Sequence, residues 1–324
     1  MNILNFCLFD WGGGGIRLTK AINKYTKHKA RHLLIGRDEL GYEHDIVTKN
    51  PEEILKWINW ADVVHCREYI APLYIENPNT FWYWLYEKLK DLGLKTPPSE
   101  KLMITYVGTK FRQRPGEQHE IAMKMNAREL VAGFDLMEAW DGTDLNDGPR
   151  GPLVWFPDAI PVDDYFKMKT EHEGKPIVCQ APTKRALKST DRILELIADK
   201  DNIEVLIIEK VSFEKCMKLK SKADIYLGSF RGGIGTNDLE AMAMKIPVIN
   251  NVTAKTRFEF LFKREVGYLP YYDCPLRRLP QGIDALISDK ELYNKYAELG
   301  YGYVKEFHDE PVIARKFISI CEEL

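Results

Sequence analysis

Short apolar runs alternate with helix-like segments along nearly the whole chain, and the alternation starts a second time near residue 175. The first series opens with the strand "MNILNFCLF" and a helix over 16–29. It continues with the strand "ARHLLIG" at 30–36, a helix at 51–62 opened by Pro51, and the strand "DVVHC" at 62–66. An aromatic-rich helix at 79–93 and strands at 101–109 and 153–160 complete it. The second series runs "KPIVCQAP", a helix at 189–200, "IEVLIIEK", a helix at 212–223, "DIYLGS", the helix "TNDLEAMAMK" and "IPVINN". Strand and helix in this order predict parallel sheets covered by helices, an α/β class. A chain of 324 residues exceeds one ordinary core. The reading is two Rossmann-like domains, 1–158 and 159–305, joined through the proline-containing "PDAIPVDDYFK". A helix-prone tail, 306–324, is expected to pack back on the first domain.

A net charge of −2 argues against a uniformly basic nucleic-acid binder. No apolar run is long enough to span a bilayer, and the first residues lack a basic leader, so a cytoplasmic protein is expected. The six cysteines are scattered without a CxxC, which suits reduced thiols better than a disulfide framework or a zinc site. The chain has no GxxxxGK[ST], HExxH or GxSxG, and no D-x-D triplet at a strand end.

In parallel α/β sheets, ligands sit beyond the carboxyl ends of strands. Three loops there have unusual chemistry: "DWGGGGIR" at 10–17, "APTKRALKST" at 181–190 and "SFRGGIGTNDLE" at 229–240. In the third, Gly232, Gly233 and Gly235 precede a helix starting near Thr236. Converging amides and the helix N-terminus make an anion site, typically for phosphate. Glu240, one turn in, is placed to accept hydrogen bonds from sugar hydroxyls. A glycine turn with a capping acid is the plainer alternative. Lys184, Arg185 and Lys188 in the second loop suit a diphosphate, or form a solvated charge run.

Taken together these loops resemble a GT-B glycosyltransferase of the retaining family 4. "GSFRGGIGTNDLEAMAMKIPVINN" is similar to that family's glycine loop followed by "EAMA" and "PVI", and "APTKRALKSTDRIL" to its basic second signature. "WFPDAIPVDDYF" resembles the interdomain segment, and "FDWGGGGIRLTKAIN", "ADVVHCRE" and "YVGTKFR" resemble first-domain motifs. The resemblance implies two Rossmann-like domains facing an interdomain cleft. Arg185 and Lys188 would hold the donor diphosphate; Gly233, Ile234, Gly235 and Thr236 would cradle the distal phosphate; Glu240 would bind the ribose. Gly14 and Gly15 would bring main chain to the reacting centre, with His65 and Lys188 as further catalytic candidates. Trp11, Tyr106, Lys110 and Arg112 would meet the acceptor. No metal and no resident cofactor are implied, only a nucleotide-diphosphate sugar, UDP-sugar first, as co-substrate.

The chain also departs from the family. The glutamate usual eight residues before Glu240 is Gly232, and the usual histidine and aspartate after the strand at 101–109 are Val107 and Lys110. His65 or Tyr106 serves in their place, or the leaving phosphate takes the acceptor proton; His65, at a strand end in an apolar run, reads equally as a satisfied core histidine. Residues 17–37 carry Arg17, Lys20, Lys24, Lys27, Lys29, Arg31 and Arg37. This stretch suits an anionic acceptor or peripheral membrane contact, or is a solvated face. The run "FWYWLY" cannot turn every ring to one side of a helix, so most of it is read as core. The expected activity is hexosyl transfer to a hydroxyl of a glycan or glycolipid. Transfer to a hydroxymethylated DNA base, and a catalytically silent nucleotide-sugar binder, are the alternatives.

Overall fold

Strand pairing follows the apolar runs. The computed structural model describes residues 1–10, 12–37, 40–68, 73, 81–139, 153–230, 232–263 and 266–324. The chain separates into two compact units, Met1–Ala159 with Glu310–Leu324, and Ile160–Asp309. The second unit reaches four residues beyond 305, because Ile160 N–H donates to the His308 carbonyl (2.8 Å) and Ile160 bridges to Asp309.

The first unit holds a parallel sheet of β1 (Asn2–Cys7), β2 (Lys29–Leu34), β3 (Ile46–Val47), β4 (Val63–Arg67), β5 (Lys101–Tyr106), β6 (Arg128–Val131) and β7 (Val154–Trp155). Their order is β3-β2-β1-β4-β5-β6-β7. Side chains alternate across it. Ile3 and Val63 face a core shared with the helices Gly14–Tyr25 and Glu310–Glu323, through Leu18, Ile22, Ile313 and Phe317. Leu4, Phe6 and Val64 face the opposite core, with Ile54, Leu85 and Leu89. The "FWYWLY" helix, Phe81–Asp91, buries Leu85 and Leu89, while Tyr83 and Tyr86 are half-buried and Trp84 is exposed. Among its described side chains Leu85, Leu89 and the half-buried Tyr86 form that contact, so the exposed Trp84 departs from the core reading of the run.

The second unit holds β8 (Ile177–Gln180), β9 (Glu204–Ile207), β10 (Ile225–Leu227), β11 (Val248–Asn250) and β12 (Tyr272–Asp273), ordered β12-β11-β10-β8-β9 and parallel. Its core joins Val178, Ile193, Ile225, Ile249 and Ile283.

Each sheet reverses its order once, between β1 and β4 and between β8 and β10. At such a switch point neighbouring loops leave in opposite directions and open a crevice at the strand carboxyl ends. The glycine stretch 12–15 follows β1; the loops 181–190 and 228–235 follow β8 and β10. No helix among the described residues is long and apolar enough to cross a membrane.

Candidate functional site

In the second unit, buried amide side chains tie the two loops together. Gln180, the last residue of β8, donates to the carbonyls of Lys188 (3.0 Å) and Gly228 (3.1 Å) and accepts from Thr190 Oγ1 (2.7 Å). Asn250, the last residue of β11, accepts from the Phe230 amide (3.1 Å) and donates to the Gly233 carbonyl (3.3 Å). Gly232 takes φ +128°, a conformation that L side chains rarely adopt. Neither amide was singled out in the sequence. Their signal is a polar residue closing an apolar strand, as in "IVCQ" and "VIN".

This scaffold brings Lys188 onto the glycine loop. Lys188 Nζ lies 3.2 Å from where a Cβ on Gly235 would be, at the start of the helix Thr236–Ala243. An ammonium and a helix N-terminus thus share one place. The Gly235 amide is already used, donating to Asp238 Oδ2 at 2.8 Å. Asp238 is buried, its Oδ1 has no hydrogen-bond partner, and burial raises its pKa while the Lys188 charge pulls it down. Arg185 differs from Lys188. Its guanidinium binds Asp191 (2.7 Å) and Glu209 (2.8 Å), so a diphosphate has to share it with two carboxylates. Glu240 is 3% exposed and paired with Lys220, itself fully buried, at 2.5 Å.

In the first unit the glycines serve the protein's own packing. A Cβ on Gly14 would lie 2.3 Å from the Arg67 guanidinium, and one on Gly15 would lie 2.7 Å from both Cys7 Sγ and His32 Nε2. Both glycines are buried, so they admit neighbouring side chains where the sequence reading placed a reacting centre. Asp10 accepts from the amides of Gly15 and Ile16 (3.0 Å each) and so caps the helix Gly14–Tyr25. Arg67, at the carboxyl end of β4, joins Asp10 (4.0 Å) to Asp158 (2.5 Å). Asp10, Arg67 and Asp158 were also missed, although an acid just before a glycine-started helix is a capping signal.

His65 is fully buried. Its ring bonds Asn5 Oδ1 and Thr105 Oγ1, each at 2.8 Å, and burial lowers its pKa to about 3. Asn5 reaches Thr19 (2.7 Å), which donates to the Gly15 carbonyl (3.0 Å). Both ring nitrogens are engaged in a dry chain that holds the glycine loop from below, which corrects its reading as a base. Tyr106 is likewise inside, donating to Glu129 (2.6 Å) and stacked on Phe111, so it presents no hydroxyl to an acceptor. Arg112 is half-exposed and paired with Asp135 (2.8 Å). Trp11 and the Lys110 side chain lie outside the described residues. Arg17 is buried and bonded to the Gly12 carbonyl, which takes it out of the basic stretch 17–37.

Cys7, Asp10 and His32 place one ligand atom each within 4.8 Å of one another. Asp10 already accepts two amides there and has the Arg67 cation beside it, a poor setting for a second cation.

No protein-family model matches the chain, and no curated protein matches it in sequence. Solved structures do match. An alpha-glucosyltransferase in complex with UDP and a 13-mer DNA containing a HMU base superimposes with a TM-score of 0.70 at 12% identity, over 99% of each chain. A glycosyltransferase from Rickettsia africae gives 0.62 at 17% identity, over 99% of this chain and 98% of that one. Anabaena HepE in complex with UDP-glucose gives 0.66 at 11% identity, over the whole of both chains. The fold is GT-B. Within it, the β8–β10 switch point with Lys188 and the glycine loop forms one candidate site, and the Asp10–Arg67 cluster forms the other.

Proposed function

We propose that the chain is a glycosyltransferase that moves a hexose from a nucleoside-diphosphate sugar, UDP-sugar first, to a hydroxyl acceptor with retention. The observation that carries this reading is Lys188 Nζ over Gly235 at the N-terminus of Thr236–Ala243. As the sugar–phosphate bond breaks, negative charge grows on the leaving diphosphate. An ammonium and a helix N-terminus aimed at that charge stabilise it more in the transition state than in the ground state. Arg185 adds charge once a diphosphate draws it from Asp191 and Glu209. Glu240 takes the ribose hydroxyls. With His65 and Tyr106 inside the core, the acceptor proton goes to the leaving phosphate oxygen, and the new bond forms on the face the diphosphate leaves. Charge neutralisation by Lys188 and the helix asks for no divalent ion.

A second reading concerns the acceptor. The DNA in the complex of the structurally similar alpha-glucosyltransferase favours a modified DNA base over a glycan or glycolipid. Exposed Lys20, Lys27, Lys29 and Arg31 supply cations for a phosphate backbone.

The purified chain is incubated with UDP-, GDP- and ADP-hexoses, with and without EDTA, and with glycan, glycolipid or hydroxymethylated DNA. A mass gain of one hexose on one acceptor class, with the donor's anomeric configuration kept, is the expected result. Neither transfer nor donor hydrolysis with any nucleotide sugar would leave only a silent binder. Loss of transfer in EDTA, restored by a divalent ion, refutes the metal-free part.

A further inference from the structure

Lys220 is the last residue of the helix Phe213–Lys220, and its side chain is fully buried. Nζ donates to Glu240 Oε2 (2.5 Å) and to Asn237 Oδ1 (2.7 Å), and lies 5.5 Å from the centroid of the Tyr226 ring. Those partners reach further. Asn237 Nδ2 donates to the Ala181 carbonyl (3.2 Å), and the Tyr226 hydroxyl accepts from the Ala181 amide (3.3 Å). Ala181 is the first residue after β8, where the loop carrying Arg185 and Lys188 begins. Two side chains that touch Lys220 therefore hold both polar backbone groups of that residue. Asn237 and Glu240 belong to the helix that the glycine loop opens. One buried ammonium thus joins the lysine-bearing loop, the glycine-loop helix and the carboxylate between them.

We propose that Lys220 is a positioning residue of the nucleotide site, aiming the Glu240 carboxylate at the ribose hydroxyls and fixing the start of the 181–190 loop relative to the glycine-loop helix. This rests on the reading of the second unit as the nucleotide-sugar site. A charge pair this dry adds little net stability over an apolar pair of equal volume, because both ions lose their water. What it supplies is direction. A carboxylate bonded to a fixed ammonium has one orientation, and a hydroxyl pair on a ligand meets a preset acceptor. Lys220 touches no substrate in this scheme; it acts through Glu240 and Asn237.

The test compares the wild type, Lys220→Met, Lys220→Arg and Glu240→Gln. Calorimetric titration uses UDP and 2′,3′-dideoxy-UDP, and thermal melting reports folding. The wild type should prefer UDP by about 10-fold or more, the range of a hydrogen bond to a charged group. Lys220→Met should bring the two affinities within about 3-fold, as Glu240→Gln does, and, unlike Glu240→Gln, should also weaken dideoxy-UDP binding, because the 181–190 loop loses its anchor. A methionine variant that keeps the wild-type preference overturns the inference. Should that variant fail to fold, Lys220→Arg carries the test: charge kept but displaced must lower the preference with melting nearly unchanged, and an unaltered preference overturns it. A wild type that binds UDP without preferring it over the dideoxy analogue overturns Glu240 as the ribose group. A wild type that binds no nucleoside diphosphate overturns the nucleotide-site reading, and this inference falls with it.

Discussion

Lys188 and Arg185 look equivalent in sequence and differ in their neighbours. Lys188 rests against Gly235, whereas Arg185 is spanned by Asp191 and Glu209. Lys188→Ala should weaken nucleoside-diphosphate binding about 10–100-fold, the loss of one charge-assisted contact. Arg185→Ala should cost less, because the arginine surrenders part of two ion pairs to bind. Calorimetry orders them, and equal affinities in Lys188→Ala and wild type would remove the phosphate site from this loop. Gly15 gives the second residue-scale prediction. Its missing Cβ is the space that Cys7 and His32 use, so Gly15→Ala should destabilise the first unit by about 1–3 kcal/mol in urea unfolding, the usual cost of overpacking. A variant as stable as the wild type would mean that the neighbours give way freely.

At the scale of elements, the strands that form the switch points were legible because short, mainly apolar runs such as "NILNFC", "VVHCR" and "IVCQ" between helix-like segments mark buried parallel strands. β3 and β12 escaped because two residues carry no period, whereas the equally short β7 lies inside the apolar run "LVWF". β6 escaped because "RELV" brings Arg128 and Glu129 into a buried strand, where Glu129 is met by Tyr106 and His119. The loops after β8 and β10 were legible as glycines and lysines, but their supports were not. Gln180, Asn250 and Lys220 act through partners far along the chain, and spacing within one segment does not reveal such partners. His65 misled for the same reason, since a histidine at a strand end reads alike whether it faces water or Asn5. Its burial makes a pH prediction. Burial lowers His65 to about 3 and His32 to about 4, so both stay neutral in the folded chain while the unfolded chain takes up protons below about 6.5. The stability they contribute is complete above that value and is lost as the pH falls toward 4 and 3. Each should account for about 2 kcal/mol between pH 7 and 5. Urea unfolding of His65→Gln should show a pH dependence shallower by roughly one proton, and an unchanged slope would contradict its burial as a neutral ring. The helix Gly14–Tyr25 and strand β2 bear the acceptor question. Lys20 and Lys27 to Glu, with Lys24 left to pair with Glu310, should raise the acceptor KM and spare donor affinity. Identical acceptor kinetics at low salt would reduce the lysines to a solvated face.

For the whole molecule, the decisive contact is the last helix. Ile313, Phe317 and Ile320 of Glu310–Glu323 complete the core against Ile3, Ile22 and Val63, within the first unit. Removing residues 310–324 takes away at least three buried apolar side chains, on the order of 5 kcal/mol or more. Hydrogen exchange should then show β1 and β4 losing protection while β8 and β10 keep theirs; retained protection in β1 would show that the remaining core suffices. The same arrangement sets an order of events during synthesis. The second unit is an uninterrupted stretch, Ile160–Asp309, lying between the two pieces of the first. It can fold as soon as it leaves the ribosome. The sheet made before it must wait for its covering helix through roughly 150 further residues, on the order of 10–30 s at ordinary elongation rates. Newborn chains therefore carry a finished second unit while the first still exposes an apolar face, and that face is where a chaperone would be recruited.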